Sequence, residues 1–227
     1  SQSNGTLLTP NSPTVSQSSE IREKVKAEYG VFSNATTGKE SLHIIENDKL
    51  RITISNKGGR IVSVIMKEYQ TFDSLSLDLF DADSSKFNLQ IITGKIINTA
   101  DLFFISYQEA NSLTLRAQAD NNHYIEYIYT LYDDYIVDFD INLVGIDNLI
   151  PTSINYVNLE WQMKTPQTEK SKSNQDMYTG IQYQYKSDNE VDYLSFSSND
   201  DDKIDSRLNW VAFKQQFFSA IFIAKEG

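Results

Sequence analysis

The sequence contains no cysteine and only two histidines. Without Cys there can be no disulfide framework, no thiolate nucleophile and no Cys-based zinc site, and the redox state of the compartment stays open. His43 and His123 each lie within a strand-like pattern, and neither has a second His or Asp at metal-ligand spacing. We interpret both as ordinary strand residues, so the sequence predicts no catalytic, cofactor-binding or metal-binding residue.

Long apolar runs and positive charge are also scarce. The most apolar stretch, residues 210–224, is interrupted by Lys214, Gln215 and Gln216, whereas a bilayer-spanning helix needs about 20 mostly apolar residues. The chain has 31 acidic and 20 basic residues, a formal net charge of -11. Phosphate backbones and anionic lipid headgroups repel such a chain. We therefore expect no nucleic-acid partner.

Turn-formers are few and aromatic residues are abundant, with 4 Pro and 9 Gly against 13 Tyr and 12 Phe. This balance favours strands. The exception is the amino-terminal region. Residues 1–18 are mostly Ser, Thr, Asn, Gln and Pro, a composition that predicts a linker. Residues 19–29 predict one short amphipathic helix with Ser19 as its N-cap and Gly30 at its end. We assign residues 1–40 to a linker with this short helix.

From residue 41 onward apolar and polar residues alternate, as in strands with one buried face. The alternation is found in residues 50–55, 113–119, 137–143, 157–163 and 181–185. Residues 123–132 and 137–143 are joined by a short Asp-Asp link and predict an antiparallel hairpin. Nothing resembles alternating βαβ units. Residues 41–227 are therefore predicted to form an all-β antiparallel sandwich.

Two segments give specific local predictions. Gly58 and Gly59 should form a tight connection between two strands, with at least one of them at positive φ. Residues 210–218 match helical and strand spacing equally well, and we predict a strand from Phe217 onward.

Three features suggest chemistry, and each has a simpler interpretation. Glu126 and Glu160 would suit a glycosidase-like pair, although outward-facing strand charges are the simpler explanation. The acidic loop at residues 199–205 lacks the central Gly and distant Glu of a calcium loop, so a solvated loop is favoured. The aromatic strands in residues 124–135 would bind sugars by stacking, although core packing is their commoner use.

Three stretches resemble a known family. Residues 46–61 (ENDKLRITISNKGGRI) resemble the opening strand and Gly-Gly turn of the periplasmic domain of YidC/Oxa1/Alb3-family membrane protein insertases. Residues 208–220 (LNWVAFKQQFFSA) are similar to that domain's Trp-Val-Ala-x-x-Gln-Gln-Tyr/Phe-Phe segment, and residues 178–181 (YTGI) resemble the stretch that precedes it. Order and spacing agree, and the composition resembles that of members from the Bacteroidetes.

The resemblance implies a β-supersandwich like that of galactose mutarotase, in the periplasm and attached to the bacterial inner membrane only through helices absent from this chain. It implies a non-catalytic role in membrane protein insertion and folding, with membrane protein substrates and accessory subunits of the Sec translocon as partners. Because the family domain continues with further strands after the Phe-Phe segment, the resemblance also implies that residues 41–227 form its first part. A glycan-binding module and a degenerate mutarotase-like enzyme remain the alternatives.

Overall fold

A computed structural model describes residues 15–80, 83, 85–154, 156–196, 199 and 201–225. Strands make up 46% and helices 16%, and neighbouring strands within each described sheet run antiparallel. The predicted all-β antiparallel class is therefore confirmed. The likeness to the galactose mutarotase sandwich stays a prediction. In the described part of the chain no helix is long and apolar enough to cross a membrane.

The strands are β1 Leu42–Glu46, β2 Leu50–Ser55, β3 Ile61–Gln70, β4 Ser76–Asp78, β5 Lys86–Ile92, β6 Ile96–Asn98, β7 Ile105–Gln108, β8 Ser112–Gln118, β9 Tyr124–Leu131, β10 Val137–Val144, β11 Asn158–Gln162, β12 Gly180–Tyr185, β13 Val191–Ser195, β14 Leu208–Lys214 and β15 Ser219–Ile223. The helices are α1 Val15–Tyr29 and α2 Lys172–Tyr178, with short 3-10 helices at Gly30–Thr36, Thr99–Asp101 and Asp147–Leu149.

The strands form four sheets. Sheet 1 has the order β1-β2-β3-β4, and sheet 2 has the order β10-β9-β8-β7. Sheet 3 has the order β11-β5-β6, so a strand from late in the chain pairs with an early one. Sheet 4 has the order β13-β12-β14-β15. Most neighbours are consecutive in sequence because short turns join antiparallel strands most easily, and β11 is the main departure from a simple meander.

Sheets 1, 2 and 3 share one hydrophobic core. The alternation in each strand directs every second side chain inward, as the buried Ile52, Leu89 and Leu115 show for the three sheets in turn. Fully burying one such side chain stabilises the fold by about 1.5–3 kcal/mol. The predicted hairpin is confirmed: β9 pairs with β10 in one register from Leu131 opposite Val137 to Tyr124 opposite Val144.

The glycine turn is confirmed as well. Gly58 has φ +74° and Gly59 has φ +62°, both in the left-handed region. A Cβ on Gly59 would lie 2.7 Å from the Tyr127 ring, and the hydroxyl of Tyr129 donates to the Gly59 carbonyl at 2.7 Å. The turn therefore packs directly against sheet 2.

The amino-terminal region differs from the prediction. Helix α1 begins at Val15, so Ser19 lies inside the helix and does not cap it. The part of the predicted linker before Val15 lies outside the described residues. The 3-10 helix Gly30–Thr36 places Phe32 in the core with 0% exposure. The backbone N–H of Phe103 donates to the carbonyl of Ala35 at 2.6 Å. The packed core thus includes residues before position 41.

Two further local features differ from the sequence analysis. Phe217 and Phe218 lie in the turn between β14 and β15, and the strand predicted from Phe217 begins at Ser219. The turn closes with the N–H of Gln215 donating to the Phe218 carbonyl at 2.8 Å. Helix α2, with Ser171 as its N-cap, is not among the elements predicted from the sequence. In both cases the segment is too short for periodicity to decide.

Candidate functional site

An apolar cleft of about 760 Å³ lies where the four sheets meet. Aromatic side chains provide ten of its 25 lining residues, so its surface suits flat or extended apolar groups. These ten are Tyr69, Phe80, Phe87, Tyr129, Tyr135, Phe139, Trp161, Phe217, Phe218 and Phe222. Charged side chains line it at only three positions, Arg60, Lys86 and Glu169.

Sheet 1 forms one aliphatic wall of the cleft. In the β2–β3 ladder Leu50 lies opposite Met66 and Ile52 lies opposite Val64. Directly opposed residues of an antiparallel pair point to the same face, so all four side chains line the cleft together. The alternation of β2 and β3 thus produces this wall.

Sheets 2 and 3 contribute an aromatic cluster. The rings of Tyr129 and Phe139 are stacked, with centroids 4.6 Å apart, and Phe87 meets Phe139 edge to face at 5.6 Å. Burial raises the pKa of Tyr129 well above its usual value, so its hydroxyl stays protonated and donates to Gly59. Each aromatic pair adds about 0.5–1.5 kcal/mol beyond burial. These ring contacts and the hydrogen bond of Tyr129 hold the side chains of this cleft wall in place.

The β14–β15 hairpin closes the cleft from the side of sheet 4. Trp161 of β11 packs edge to face on Phe213 of β14, with centroids 4.6 Å apart, and lies 6.0 Å from Phe222 of β15. In the turn, Phe218 packs edge to face on Tyr69 at 5.2 Å. Next to it Phe217 remains 68% exposed, which places a free aromatic ring at the cleft mouth.

Hydrogen bonds fix the rim of the cleft at Tyr135. Its hydroxyl donates to Glu68 at 2.8 Å, and the ammonium of Lys49 lies 4.9 Å from the centre of its ring. The bond to Glu68 raises the pKa of Tyr135. Lys49 also pairs with Asp134 at 2.9 Å, a hydrogen bond that lowers the pKa of that carboxyl. These polar contacts hold the β9–β10 turn against sheet 1.

A second groove, of about 770 Å³, lies beside α2 and is more polar. The amide of Gln175 is buried there, and both its oxygen and its nitrogen have hydrogen-bond partners. It accepts from the N–H groups of Thr168 and Glu169 at 2.9 and 3.1 Å and donates to the Pro166 carbonyl at 3.0 Å. Because Gln175 satisfies loop backbone, we assign it a structural role.

The two histidines lie apart in the fold. His43 is on β1 of sheet 1, with its Nε2 3.1 Å from the hydroxyl of Ser41. His123 precedes β9 of sheet 2, with its Nδ1 2.7 Å from Asp120. The hydrogen bond from the backbone N–H of Asn122 is the largest cause that lowers the pKa of Asp120, and the hydrogen bond with the His123 side chain is the second. Each histidine is thus engaged by a close neighbour in the sequence.

The structure corrects the interpretation of Glu126 as an outward-facing charge. Its side chain is only 9% exposed, and it accepts from the Arg116 guanidinium at 2.6 Å and from Asn142 at 3.0 Å. Arg116 lies over the rings of Tyr107 and Tyr124, which hold it above the carboxylate. Glu160 is exposed and belongs to sheet 3, whereas Glu126 belongs to sheet 2.

The acidic loop at residues 199–205 is described only in part, because residue 200 lies outside the described set, as do residues 197 and 198 just before the loop. Within that set, the hydroxyl of Tyr183 donates to Asp202, and Lys203 pairs with Asp205 at 3.5 Å. No group of three or more His, Asp or Glu side chains that could hold a metal is found among the described residues.

The cleft was not predicted from the sequence. Its aromatic residues follow the same alternation as core residues, and they come from strands far apart in the chain. Trp161 offered the only usable signal, as a large ring on a strand whose other face is polar, but periodicity cannot distinguish a cleft wall from a core face.

Comparison with known proteins gives the family. The sequence profile of the YidC periplasmic domain matches residues 43–227. The chain belongs to this family. The stretch at residues 46–61 that resembles the family contains Gly58 and Gly59 of the β2–β3 turn. The stretch at residues 208–220 covers β14 and the turn into β15, which lie beside the cleft.

The similar YidC relatives are curated proteins with the name Membrane protein insertase YidC. One from Bacteroides fragilis is 36% identical over 210 residues, covering 91% of this chain and 34% of the relative. A relative from Parabacteroides distasonis is 34% identical, and the match covers 90% of this chain and 33% of the relative. A relative from Cytophaga hutchinsonii is 29% identical, and the match covers 91% of this chain and 34% of the relative. The chain thus spans about a third of the length of the relatives it matches.

Proposed function

We propose that this chain is a non-catalytic periplasmic domain of an inner-membrane protein insertase. In this proposal the domain assists the insertion and folding of membrane proteins, and it contacts accessory subunits of the Sec translocon. Its other partners are the membrane protein substrates. Membrane-spanning helices elsewhere in the protein carry the insertion step, because moving an apolar segment into lipid requires a surface in contact with lipid.

The family match over residues 43–227 is the observation that carries this proposal. The cleft adds a physical argument. Its walls are mostly aliphatic and aromatic, and binding of an apolar ligand there is stabilised in proportion to the apolar area that becomes buried. An extended apolar polypeptide segment has that chemistry. We assign the cleft to transient contact with such segments of client proteins.

The first test compares insertion by variants of the full-length protein. Deleting residues 43–227 should slow insertion of a single-span client by less than about tenfold and should remove co-purification with the Sec accessory subunits. Damage to the membrane helices should abolish insertion. The measurement is protease protection of the client in cells depleted of the wild-type protein. A deletion as severe as helix damage, or unchanged co-purification, would contradict the proposal.

The second candidate is a glycan-binding module, because aromatic walls such as those of Trp161 and Phe222 also stack on sugar rings. Sugars additionally need several polar partners, and this cleft offers few. The flanking sequence discriminates between the two functions. One hydrophobic span before residue 1 and five after residue 227 would establish an insertase, and a signal peptide alone would favour a secreted glycan binder.

The degenerate mutarotase-like alternative is tested by mixing the purified domain with α-glucose or α-galactose and following optical rotation. We expect the buffer rate, because His43 of β1 and His123, which precedes β9, lie apart in the fold, and the Asp120 carboxylate paired with His123 is its neighbour in the same exposed turn. The control is the variant with His43→Ala and His123→Ala. Acceleration that disappears in this variant would make the enzyme reading the leading one.

A further inference from the structure

In the described part of the chain, two glutamines of the β14–β15 turn have buried amide atoms without a hydrogen-bond partner. Gln215 is only 1% exposed, and this holds for both its Oε1 and its Nε2. For Gln216 it holds for the buried Oε1. A buried polar group that forms no hydrogen bond destabilises a fold, and native proteins keep few of them. Such groups in one short turn therefore need an explanation.

The Gln215 side chain lies beside the apolar cleft. The N–H of Gln215 donates to the Phe218 carbonyl at 2.8 Å and closes the turn. Residues opposed in this way point to the same face of a hairpin. The Phe218 ring lines the cleft and packs on Tyr69. The buried amide of Gln215 is thus on the cleft side of the hairpin, next to a ring of the cleft wall.

A further buried polar atom of this kind lies in the cleft wall itself. Ser85, directly before β5, lines the cleft, and its buried hydroxyl has no hydrogen-bond partner among the described residues. Ser85, Gln215 and Gln216 hold four of the five buried side-chain nitrogen and oxygen atoms without a partner in the described ranges. By contrast, the buried amide of Gln175 has partners at both its oxygen and its nitrogen. The unpaired polar atoms are thus concentrated at the cleft.

These atoms distinguish between two apolar occupants of the cleft. A polypeptide carries an N–H and a C=O at each residue, and both need partners when the cleft removes them from water. A glutamine amide offers donors and an acceptor and can therefore pair with both main-chain groups. A lipid acyl chain has no hydrogen-bonding group along its length and would leave the amides unpaired. The chemistry of the turn therefore favours a polypeptide.

We propose that the amides of Gln215 and Gln216 form hydrogen bonds to the main chain of an extended apolar polypeptide segment bound in the cleft. The turn shifts on binding, so that the buried amides gain partners in the segment. Phe217 is 68% exposed at the tip of this turn, so the tip loses little packing when it moves. This inference rests on the proposed function, because it names the contacts by which the cleft recognises client segments.

Thermal unfolding tests whether the Gln215 amide lacks a partner in the free chain. Methionine removes the polar atoms and keeps an unbranched side chain, so Gln215→Met should melt no lower than the wild type and up to about 4 °C higher. Gln175→Met is the matched control. It removes an amide that pairs with Thr168, Glu169 and Pro166, and its melting temperature should fall by more than about 2 °C. A lower melting temperature for Gln215→Met would show that this amide already has a partner, such as a buried water, and overturns the proposal.

Peptide binding provides the second readout. The probe is a short fluorescein-labelled peptide of alternating leucine and serine, and fluorescence anisotropy measures its affinity for the chain. Gln215→Met should weaken binding of this peptide about tenfold. It should leave unchanged the binding of pyrene, an apolar ligand without hydrogen-bonding groups. The same peptide with N-methylated main-chain amides should bind the wild type about tenfold more weakly and lose nothing further in Gln215→Met, because the two changes remove the same hydrogen bonds.

The outcomes separate this inference from the proposed function. If the wild type and Gln215→Met bind the peptide equally, or if pyrene binding weakens as much as peptide binding, the amides do not contact the segment and the inference is overturned, while the cleft keeps its assignment to client segments. If the wild type binds pyrene and not the peptide, the inference fails together with that assignment.

Discussion

Replacing Gly59 with valine is expected to lower the free energy of unfolding by about 2–5 kcal/mol. Two costs add. A β-branched residue at φ +62° is strained, by about 1–2 kcal/mol or more. The new Cβ would also lie 2.7 Å from the Tyr127 ring, where overpacking costs about 1–3 kcal/mol. Equilibrium unfolding in urea, followed by far-ultraviolet circular dichroism, measures the change.

Gly94→Val is the matched control for this substitution. Gly94 has φ +75°, and a Cβ there would meet nothing within 4 Å, so the control carries the backbone strain without the steric clash. We expect it to lose about 1–2 kcal/mol. Equal losses in the two variants would show that packing against Tyr127 contributes nothing. If both variants unfold like the wild type, the argument from positive φ is wrong.

Replacing Phe32 with alanine is expected to destabilise the domain by about 3–5 kcal/mol, as for other large-to-small changes at buried aromatic positions. Phe32 is 0% exposed in the shared core, although its 3-10 helix lies in the region assigned to a linker from the sequence. Thermal unfolding should show a melting temperature lower by roughly 6–20 °C, on the scale of 2–4 °C per kcal/mol for a domain of this size.

Phe72→Ala makes the same change at an exposed position. Phe72 is 51% exposed in the β3–β4 turn, and its loss should cost within about 0.5 kcal/mol. A wild-type melting temperature for Phe32→Ala would mean that the domain does not need residues before position 41. A chain that starts at residue 41 should then be as stable as the one described here, which gives an independent check on the domain boundary.

The strands were predictable because their signal is local. In β8, β9 and β10 every second residue is apolar, and a sheet with one buried face requires that alternation whatever packs on it. The Gly58–Gly59 turn was predictable for the same reason, since two adjacent glycines between strands favour positive φ. The family resemblance also rests on local stretches, and the profile match over residues 43–227 confirms it.

The ends of helices and the burial of single charged side chains were less predictable, because they depend on neighbouring parts of the structure. Helix α1 begins at Val15, before Ser19. Several neighbouring residues can cap a helix, so sequence spacing alone does not fix the residue at which the helix starts. Glu126 alternates with core residues and looks exposed in the sequence. Arg116, from the neighbouring strand β8, covers it, and the pairing that brings them together is a property of the sheet.

The sequence by itself determined the fold class, the main hairpin, the glycine turn and the family, because each depends on residues close together in the chain. Only the tertiary structure decided the cleft and the burial of Phe32. Trp161 of β11 meets Phe213 of β14, and Phe139 of β10 meets Phe87 of β5, so these contacts join four strands of three sheets. Alternation specifies that a face is apolar, but which other face covers it, and whether a cleft remains between them, depends on how the sheets pack.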